Sequence, residues 1–388
     1  MRRISILGST GSIGRSSLDV ARSHPEAIAV AGLSTNRKIE DLARQVEEFK
    51  PAVAAVGDES LAGEFKDMVE GTETRVVCGE GGLRELASLD GADIVLNALV
   101  GSAGIMPSIA AIRSGKDLAI ANKECLVAAG EVITREAAAA GVGLIPVDSE
   151  HSAVFQCIRG ERRADVSRIT LTASGGPLKD MTAAEIGEVT AEDALKHPTW
   201  DMGQKVTIDS ATLLNKGFEV IEASWLFNIP TDRIDILIEK KSIVHCLVEF
   251  IDGSVTALLS VPDMRLAIQY ALTQPARLET RLERLDLAGM GDIAFDAPDL
   301  EKFPCLDLAY QAAGLGGTAP AALSAADEVV VESFLAGRIK FNDIYSILKE
   351  VVASHQVMGA SDVDSVMRAT AWARERAGSL VKQMGRGD

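Results

Sequence analysis

The chain lacks the excess of positive charge that a nucleic-acid or anionic-membrane binder needs. Its 39 lysines and arginines face 56 aspartates and glutamates, a formal net charge of −17 at pH 7, whereas a polyanionic partner rewards a basic surface. Paired cysteines are lacking too. Cys78, Cys125, Cys157, Cys246 and Cys305 are scattered and odd in number, and no two have metal-site or redox-motif spacing. They read as reduced thiols. No run approaches the roughly 20 apolar residues of a membrane span. Behind Met1-Arg2-Arg3 the apolar stretch stops at Leu7, too short for a signal-peptide core. Internal repeats and low-complexity tracts are missing as well. These absences leave a cytoplasmic protein as the expectation, with no membrane and no nucleic acid as partner.

What is present suits a globular enzyme. The 388 residues are 47% hydrophobic and 24% charged, enough to fill cores and cover them. That length exceeds one core, so roughly two or three domains are expected. Residues 1–147 alternate helical stretches such as Ile39–Phe49 and Leu126–Ala140 with short apolar runs. The runs are Ile4–Leu7, Ile28–Leu33, Ala52–Val56, Arg75–Cys78, Ile94–Ala98, Leu118–Ala121 and Leu144–Val147. This pattern predicts an α/β fold with a doubly wound, Rossmann-like parallel sheet. From 148 to 275 the pattern changes: Ser167–Ala173 alternates, and Ile243–Phe250 and Ser254–Ser260 flank Asp252-Gly253. Asp-Gly predicts a type I′ hairpin, hence a central α+β domain with an antiparallel or mixed sheet. Residues 276–304, rich in Pro and Asp, read as a connector, and 305–388 as a helical bundle of about four helices. Helix starts are expected at Thr318 with Pro320, at Asn342 before Asp343 and at Ser361 before Asp364, and stops at Gly314, Gly337 and Gly359.

Gly8-Ser9-Thr10-Gly11-Ser12-Ile13-Gly14 follows the first expected strand and opens a helix. Small residues there let backbone amides approach a pyrophosphate at a helix N-terminus. The spacing is G-x-x-G-x-x-G rather than G-x-G-x-x-G, so a plain tight turn is the alternative. After the second strand stands Asn36-Arg37-Lys38, with two cations where an NAD site wants an acid. A 2′-phosphate suits that segment and favours NADP; otherwise the two cations merely begin a solvated helix. Asn122-Lys123-Glu124 ends another strand, where parallel-sheet ligands collect. Its other reading is a loop salt bridge.

Asp148-Ser149-Glu150 follows the last apolar run. If the chain stays extended, the two carboxylates point the same way and repel unless a cation bridges them. A hard divalent ion fits; exposed loop acids are the alternative. In the segment from Ser210 to Glu219, a helix places Asn215 and Glu219 on one face with Lys216 beside Glu219. Ser210, Asn215 and Lys216 suit a phosphate and Glu219 a third metal oxygen, against an ordinary surface pair of Lys216 with Glu219. Ser174-Gly175-Gly176-Pro177 and His197-Pro198-Thr199-Trp200 bracket a span read as a mobile loop. Trp200 closes it over substrate or serves as a packing anchor. His151 and His245 read as local packing residues.

These motifs occur in one order. With Asp148-Ser149-Glu150-His151, His197-Pro198-x-Trp200-x-Met202-Gly203 and Asp209-Ser210-Ala211-Thr212-x-x-Asn215-Lys216-Gly217-x-Glu219 among them, the chain resembles the 1-deoxy-D-xylulose 5-phosphate reductoisomerase family of non-mevalonate isoprenoid biosynthesis. The resemblance runs over essentially the whole chain. It implies a homodimer that rearranges a small sugar phosphate and reduces it with NADPH. It implies that Asp148, Glu150 and Glu219 ligate Mg²⁺, Mn²⁺ or Co²⁺, and that Lys123 and Ser149 contact the substrate's oxygenated carbons. Ser174, His197, Ser210, Asn215 and Lys216 would hold the phosphate end and hydroxyls, with Trp200 on the closing loop. Thr10, Gly11, Ser12, Ile13, Asn36, Arg37, Lys38, Asn122, Glu124 and Gly203 would contact NADPH. Cys125 stands where the family usually has Ser, and Ser324 and Asp327 replace common asparagines. A semialdehyde dehydrogenase using Cys125 as nucleophile, and a non-catalytic NADP-binding regulator, are the competing expectations.

Overall fold

The computed structural model describes residues 1–200 and 202–384. Two compact units are distinguished within it, each built from more than one stretch of chain.

The first unit comprises Met1–Cys125, Ile133–Ser152 and Asp263–Leu282. Every apolar run expected there forms a strand: β1 Arg2–Leu7, β2 Ile28–Thr35, β3 Val53–Val56, β4 Arg75–Cys78, β5 Ile94–Asn97, β6 Asp117–Ile120 and β7 Leu144–Pro146. They pair in parallel in the order β4-β3-β2-β1-β5-β6-β7. The runs are apolar on both faces because helices cover both, and Ile4, Ile6, Leu33, Ala54, Leu96 and Ala119 are fully buried. Each such Ile or Leu side chain contributes roughly 1.5–3 kcal/mol of burial. The helix Ile39–Phe49 presents Ile39, Leu42 and Val46 to this core, the i, i+3, i+7 stripe of an amphipathic helix, and starts with Glu40 and Asp41 in its first turn. A distant helix, Met264–Thr273, adds Ile268, Ala271 and Leu272 to the same core. Strand order reverses at β1, whose neighbours are β2 and β5. Ligands of open parallel sheets bind beyond the strand C-termini at such a switch.

The second unit comprises Leu126–Val132, Ala153–Pro262 and Glu283–Asp388. Its sheet is mixed, as expected: β8 Val166–Ala173, β9 Ile234–Ile238, β10 Val244–Phe250 and β11 Val255–Leu259 run in the order β11-β10-β8-β9. Only β8 and β9 pair in parallel. The β10–β11 hairpin forms where Asp252-Gly253 placed it, but its turn is not type I′. Gly253 alone has positive φ, at 84°, and its N–H bonds back to Phe250 O at 2.9 Å. Ile251 and Asp252 are thus the central residues of a type I turn with Gly253 in the left-handed position after it, sparing Asp252 a left-handed conformation.

Among its described residues the tail forms four helices, Cys305–Leu315, Ala319–Leu335, Phe341–Ser354 and Val363–Met384. The second starts after Thr318, which makes no side-chain cap bond, with Pro in its first turn, and Gly337 (φ 72°) follows its end as predicted. Other boundaries shift. Gly314 lies inside the first helix, which ends at Gly316 (φ 66°). The third begins at Phe341, Asp343 accepting the Lys340 N–H, and ends at Ser354, before Gly359 is reached. Asp362, rather than Ser361, accepts the Ser365 N–H at the start of the fourth. Among the described residues no helix is long and apolar enough to cross a membrane.

Candidate active site

The predicted residues of the first unit gather at the C-terminal ends of its strands. After β1 the chain turns at Gly8, whose φ is 85° and where an added Cβ would lie 2.7 Å from Ala98 O; only glycine fits. Gly14 packs its helix turn directly on the Gly8 and Ser9 backbone. Thr10 Oγ1 bonds Thr35 Oγ1 of β2 at 2.7 Å, and Ser9 N–H donates to Ser34 O at 2.7 Å, so this turn is tied to the end of β2. Gly11 begins the helix Ser12–Ser23 without a side-chain cap and without an acid in the first turn, leaving Ser12 and Ile13 at an N-terminus suited to an anion. Asn36, Arg37 and Lys38 are exposed beyond β2. Arg37 pairs with Asp58 at 3.4 Å, a solvent-facing contact of little weight, and Lys38 does immediately precede a helix.

Asn122 caps the helix Lys123–Ala140, accepting the Cys125 N–H at 3.0 Å and donating to Gly101 O at 2.9 Å. Lys123 Nζ bonds Asp148 Oδ2 at 2.5 Å with side chains only 10% and 17% exposed, which excludes a loose loop pair. Asp148 Oδ1 in turn accepts the Ser149 N–H at 2.9 Å, and Ser149 Oγ donates to Glu150 Oε2 at 2.7 Å. The chain does not stay extended here. A helix, Ser149–Cys157, starts immediately after Asp148, so the carboxylates of Asp148 and Glu150 are set by a helix N-terminus, where amide dipoles favour negative charge.

In the second unit Ser174 follows β8, and Gly175 and Gly176 (φ 85° and 73°) turn the chain. An added Cβ on Gly176 would collide with the Ser210 carbonyl, so the turn lies against the end of the helix Gln204–Ala211. Ser174 Oγ bonds His197 Nε2 at 3.1 Å, while His197 Nδ1 accepts the N–H groups of Thr199 (3.2 Å) and Trp200 (2.9 Å). Burial, aided by the nearby Lys179 charge, lowers the His197 pKa from 6.5 to about 4. The ring is therefore neutral and carries its proton on Nε2. Gly203 stands at the start of Gln204–Ala211. Leu213 then adopts left-handed φ (59°), uncommon for a bulky residue, separating the helix that carries Ser210 from the one that carries Asn215. On the helix Leu214–Phe227, Asn215 Nδ2 donates to Glu219 Oε1 at 2.6 Å and Lys216 Nζ to Glu219 Oε2. Lys216 and Glu219 are 5% and 1% exposed, so this is a buried pair, not the surface pair weighed above.

Sequence reasoning missed other features. Lys205 Nζ lies 2.7 Å from Asp209 and 2.6 Å from Asp327, all three largely buried. The Lys205–Asp209 spacing of four was the available signal; Asp327 had none. The span read as a loop contains two short helices, Ala183–Ile186 and Ala191–Ala194, opened by capping boxes of Thr182 with Glu185 and Thr190 with Asp193, a T-x-x-E/D signature legible in the chain.

Family models described as 1-deoxy-D-xylulose 5-phosphate reductoisomerase, its C-terminal domain and the DXP reductoisomerase C-terminal domain match residues 4–130, 144–227 and 259–376. A reductoisomerase of Bacillus thuringiensis subsp. konkukian is 48% identical over 381 residues, 98% of this chain and 99% of its own. The chain belongs to the 1-deoxy-D-xylulose 5-phosphate reductoisomerase family. The reductoisomerase of Chlorobium chlorochromatii is likewise 48% identical, covering 97% of this chain and 99% of that one. The solved reductoisomerase from Zymomonas mobilis in complex with NADPH superposes with a TM-score of 0.92 at 40% identity, over 98% of this chain and 99% of that one. A reductoisomerase in complex with NADPH, fosmidomycin and magnesium gives 0.96 at 36% identity over 100% of both chains. As a reductoisomerase the chain is an NADP-dependent oxidoreductase. The cysteine-nucleophile alternative is disfavoured further by Cys125 itself, which is 0% exposed and out of a substrate's reach.

Proposed function

We propose that this chain rearranges 1-deoxy-D-xylulose 5-phosphate by retro-aldol cleavage and re-addition and reduces the product to 2-C-methyl-D-erythritol 4-phosphate. The observation that carries the reading is that its polar groups hold one another in place: Lys123 on Asp148, Ser149 on Glu150, Ser174 on His197, and Asn215 with Lys216 on Glu219. Groups fixed in this way lose little freedom on binding, which is what preorganised catalysis requires.

Asp148, Glu150 and Glu219 are hard oxygen donors suited to Mg²⁺, Mn²⁺ or Co²⁺, and the buried Glu219 carboxylate is already aimed by two donors. A divalent cation there supplies Lewis-acid polarisation of adjacent substrate oxygens, and NADPH supplies the hydride. Thr10, Gly11, Ser12, Ile13, Asn36, Arg37, Lys38, Asn122, Glu124 and Gly203 are the proposed contacts for that dinucleotide. Lys123 and Ser149 donate hydrogen bonds to the oxygens of the reacting carbons. Ser174, Ser210, Asn215 and Lys216 hold the phosphate, and neutral His197 donates from Nε2 to a phosphate or hydroxyl oxygen. Trp200 closes over the substrate, so that remote phosphate binding drives exclusion of water. Homodimerisation and a cytoplasmic location belong to the same reading. Ile251, Val255 and Leu259, 70%, 54% and 38% exposed at or beside the edge strand β11, support an apolar contact with a second copy.

The test is direct. Protein, 1-deoxy-D-xylulose 5-phosphate, Mg²⁺ and NADPH are combined and nicotinamide absorbance is followed with and without a chelator. Oxidation of NADPH that stops on chelation is expected; no oxidation with any of the three metals would overturn the reading.

A further inference from the structure

Cys157 and Cys246 are 89 positions apart, outside any spacing motif, yet their Sγ atoms lie 3.8 Å from each other. Cys157 is the last residue of the helix Ser149–Cys157 and is partly exposed. Cys246 is 0% exposed in β10, paired with Leu171 of β8 and Leu258 of β11. A solvent-reachable thiol touching a buried one has the arrangement of an attacking and a resolving cysteine. We propose that Cys157 and Cys246 form a peroxide-oxidisable dithiol, a site of reversible disulfide modification that joins the end of this helix to the middle of the four-stranded sheet.

The hydrogen bond between the two thiols holds Cys157 below its ordinary pKa, against the opposing effect of burial. Cys157, the solvent-reachable member of the pair, is therefore the one that meets peroxide first. Its sulfur attacks one oxygen of a hydroperoxide and the O–O bond breaks, giving a sulfenic acid and an alkoxide that takes up a proton. The Cys246 sulfur then attacks the Cys157 sulfur, the S–O bond breaks, and hydroxide leaves with the Cys246 proton as water. In sum, two thiols and one hydroperoxide give one disulfide, one alcohol and one water. The sulfurs must close from 3.8 Å to about 2.05 Å, and Cys157 has the freedom for this as a helix-terminal residue. The remaining thiols serve as internal controls: Cys125 and Cys305 are buried, and Cys78 is exposed.

Full-length protein is treated with stoichiometric hydrogen peroxide, its free thiols are alkylated, and the digest is mapped by mass spectrometry without reduction. The expected result is a linked peptide pair containing Cys157 and Cys246, reversed by dithiothreitol and absent from Cys157→Ser and Cys246→Ser. In Cys246→Ser given two or more equivalents of peroxide, Cys157 should instead advance to the sulfinic acid. The proposal is overturned if both cysteines of the wild type stay alkylatable after Cys78 has been oxidised, or if wild-type Cys157 accumulates as sulfinic acid without the link. The wild-type map decides alone if a serine variant does not fold.

Discussion

His197 shows how a single side chain sets a segment. Two backbone N–H groups point at its Nδ1, so protonation there would put a proton where two already converge. The pKa is lowered to about 4 from 6.5, which means that the unfolded chain takes up the proton first as pH falls. The stability that neutral His197 contributes is complete above pH 6.5 and is lost as pH falls toward 4. NMR titration of the ring should find the Nε2–H tautomer at neutral pH and a midpoint near 4; a midpoint near 6.5 would contradict the geometry. Glu219 is the second case. Glu219→Gln keeps its size and its bond to Asn215 but removes the charge. It should depress turnover by about a hundredfold or more, on the scale of lost transition-state electrostatics, while NADPH affinity is retained. Near-normal turnover at limiting metal, measured beside fluorescence titration of NADPH, would remove Glu219 from the proposed ligands. The Asn215–Lys216–Glu219 set was legible because helical spacing places i and i+4 together. The conformation of Leu213 was not, since nothing in a leucine announces a positive φ that the surrounding fold imposes.

Among the elements, the close packing of Gly104 beneath the Asn122 cap and the buried charge triad carry the sharpest consequences. Gly104→Ala would bring a Cβ within 2.5 Å of Asn122 Nδ2, 2.6 Å of Asn97 Nδ2 and 2.8 Å of Cys125 Sγ, displacing the residue that caps Lys123–Ala140. Loss of such a cap costs about 0.5–2 kcal/mol, and calorimetric titration should show weaker NADPH binding together with a lowered unfolding midpoint. Asp327→Leu removes a carboxylate that lies 2.6 Å from the Lys205 ammonium, while Asp209 still holds that ammonium at 2.7 Å. Losing one of two charged partners should cost about 1.5–3 kcal/mol, readable by denaturant unfolding. Asp327→Asn, restoring the residue common in the family, should cost less, and equal losses in the two would refute a charge-pair role. Strands were readable because runs apolar on both faces are what a doubly covered parallel sheet demands. The turn after β10 was misjudged in type because Asp-Gly serves both I′ turns and type I turns followed by a left-handed glycine.

At the level of the whole molecule, fold class and family were within reach of the sequence, and the way the chain is shared between compact units was not. Met264–Thr273 completes the core around β1 although more than two hundred residues separate them, and no local pattern encodes such a return. Charge is a whole-molecule matter too: at a net −17, the proposed anionic substrate requires cations concentrated where it binds. The central claim is that Asp148, Glu150 and Glu219 hold one divalent cation that the reaction needs. Electron paramagnetic resonance titration with Mn²⁺ tests it most directly, in the wild type and in Asp148→Asn, Glu150→Gln and Glu219→Gln, with NADPH binding as the check on folding. One tightly bound Mn²⁺ per chain, weakened at least tenfold by each substitution while NADPH still binds, is the predicted result. Undiminished Mn²⁺ binding in any of the three would contradict it.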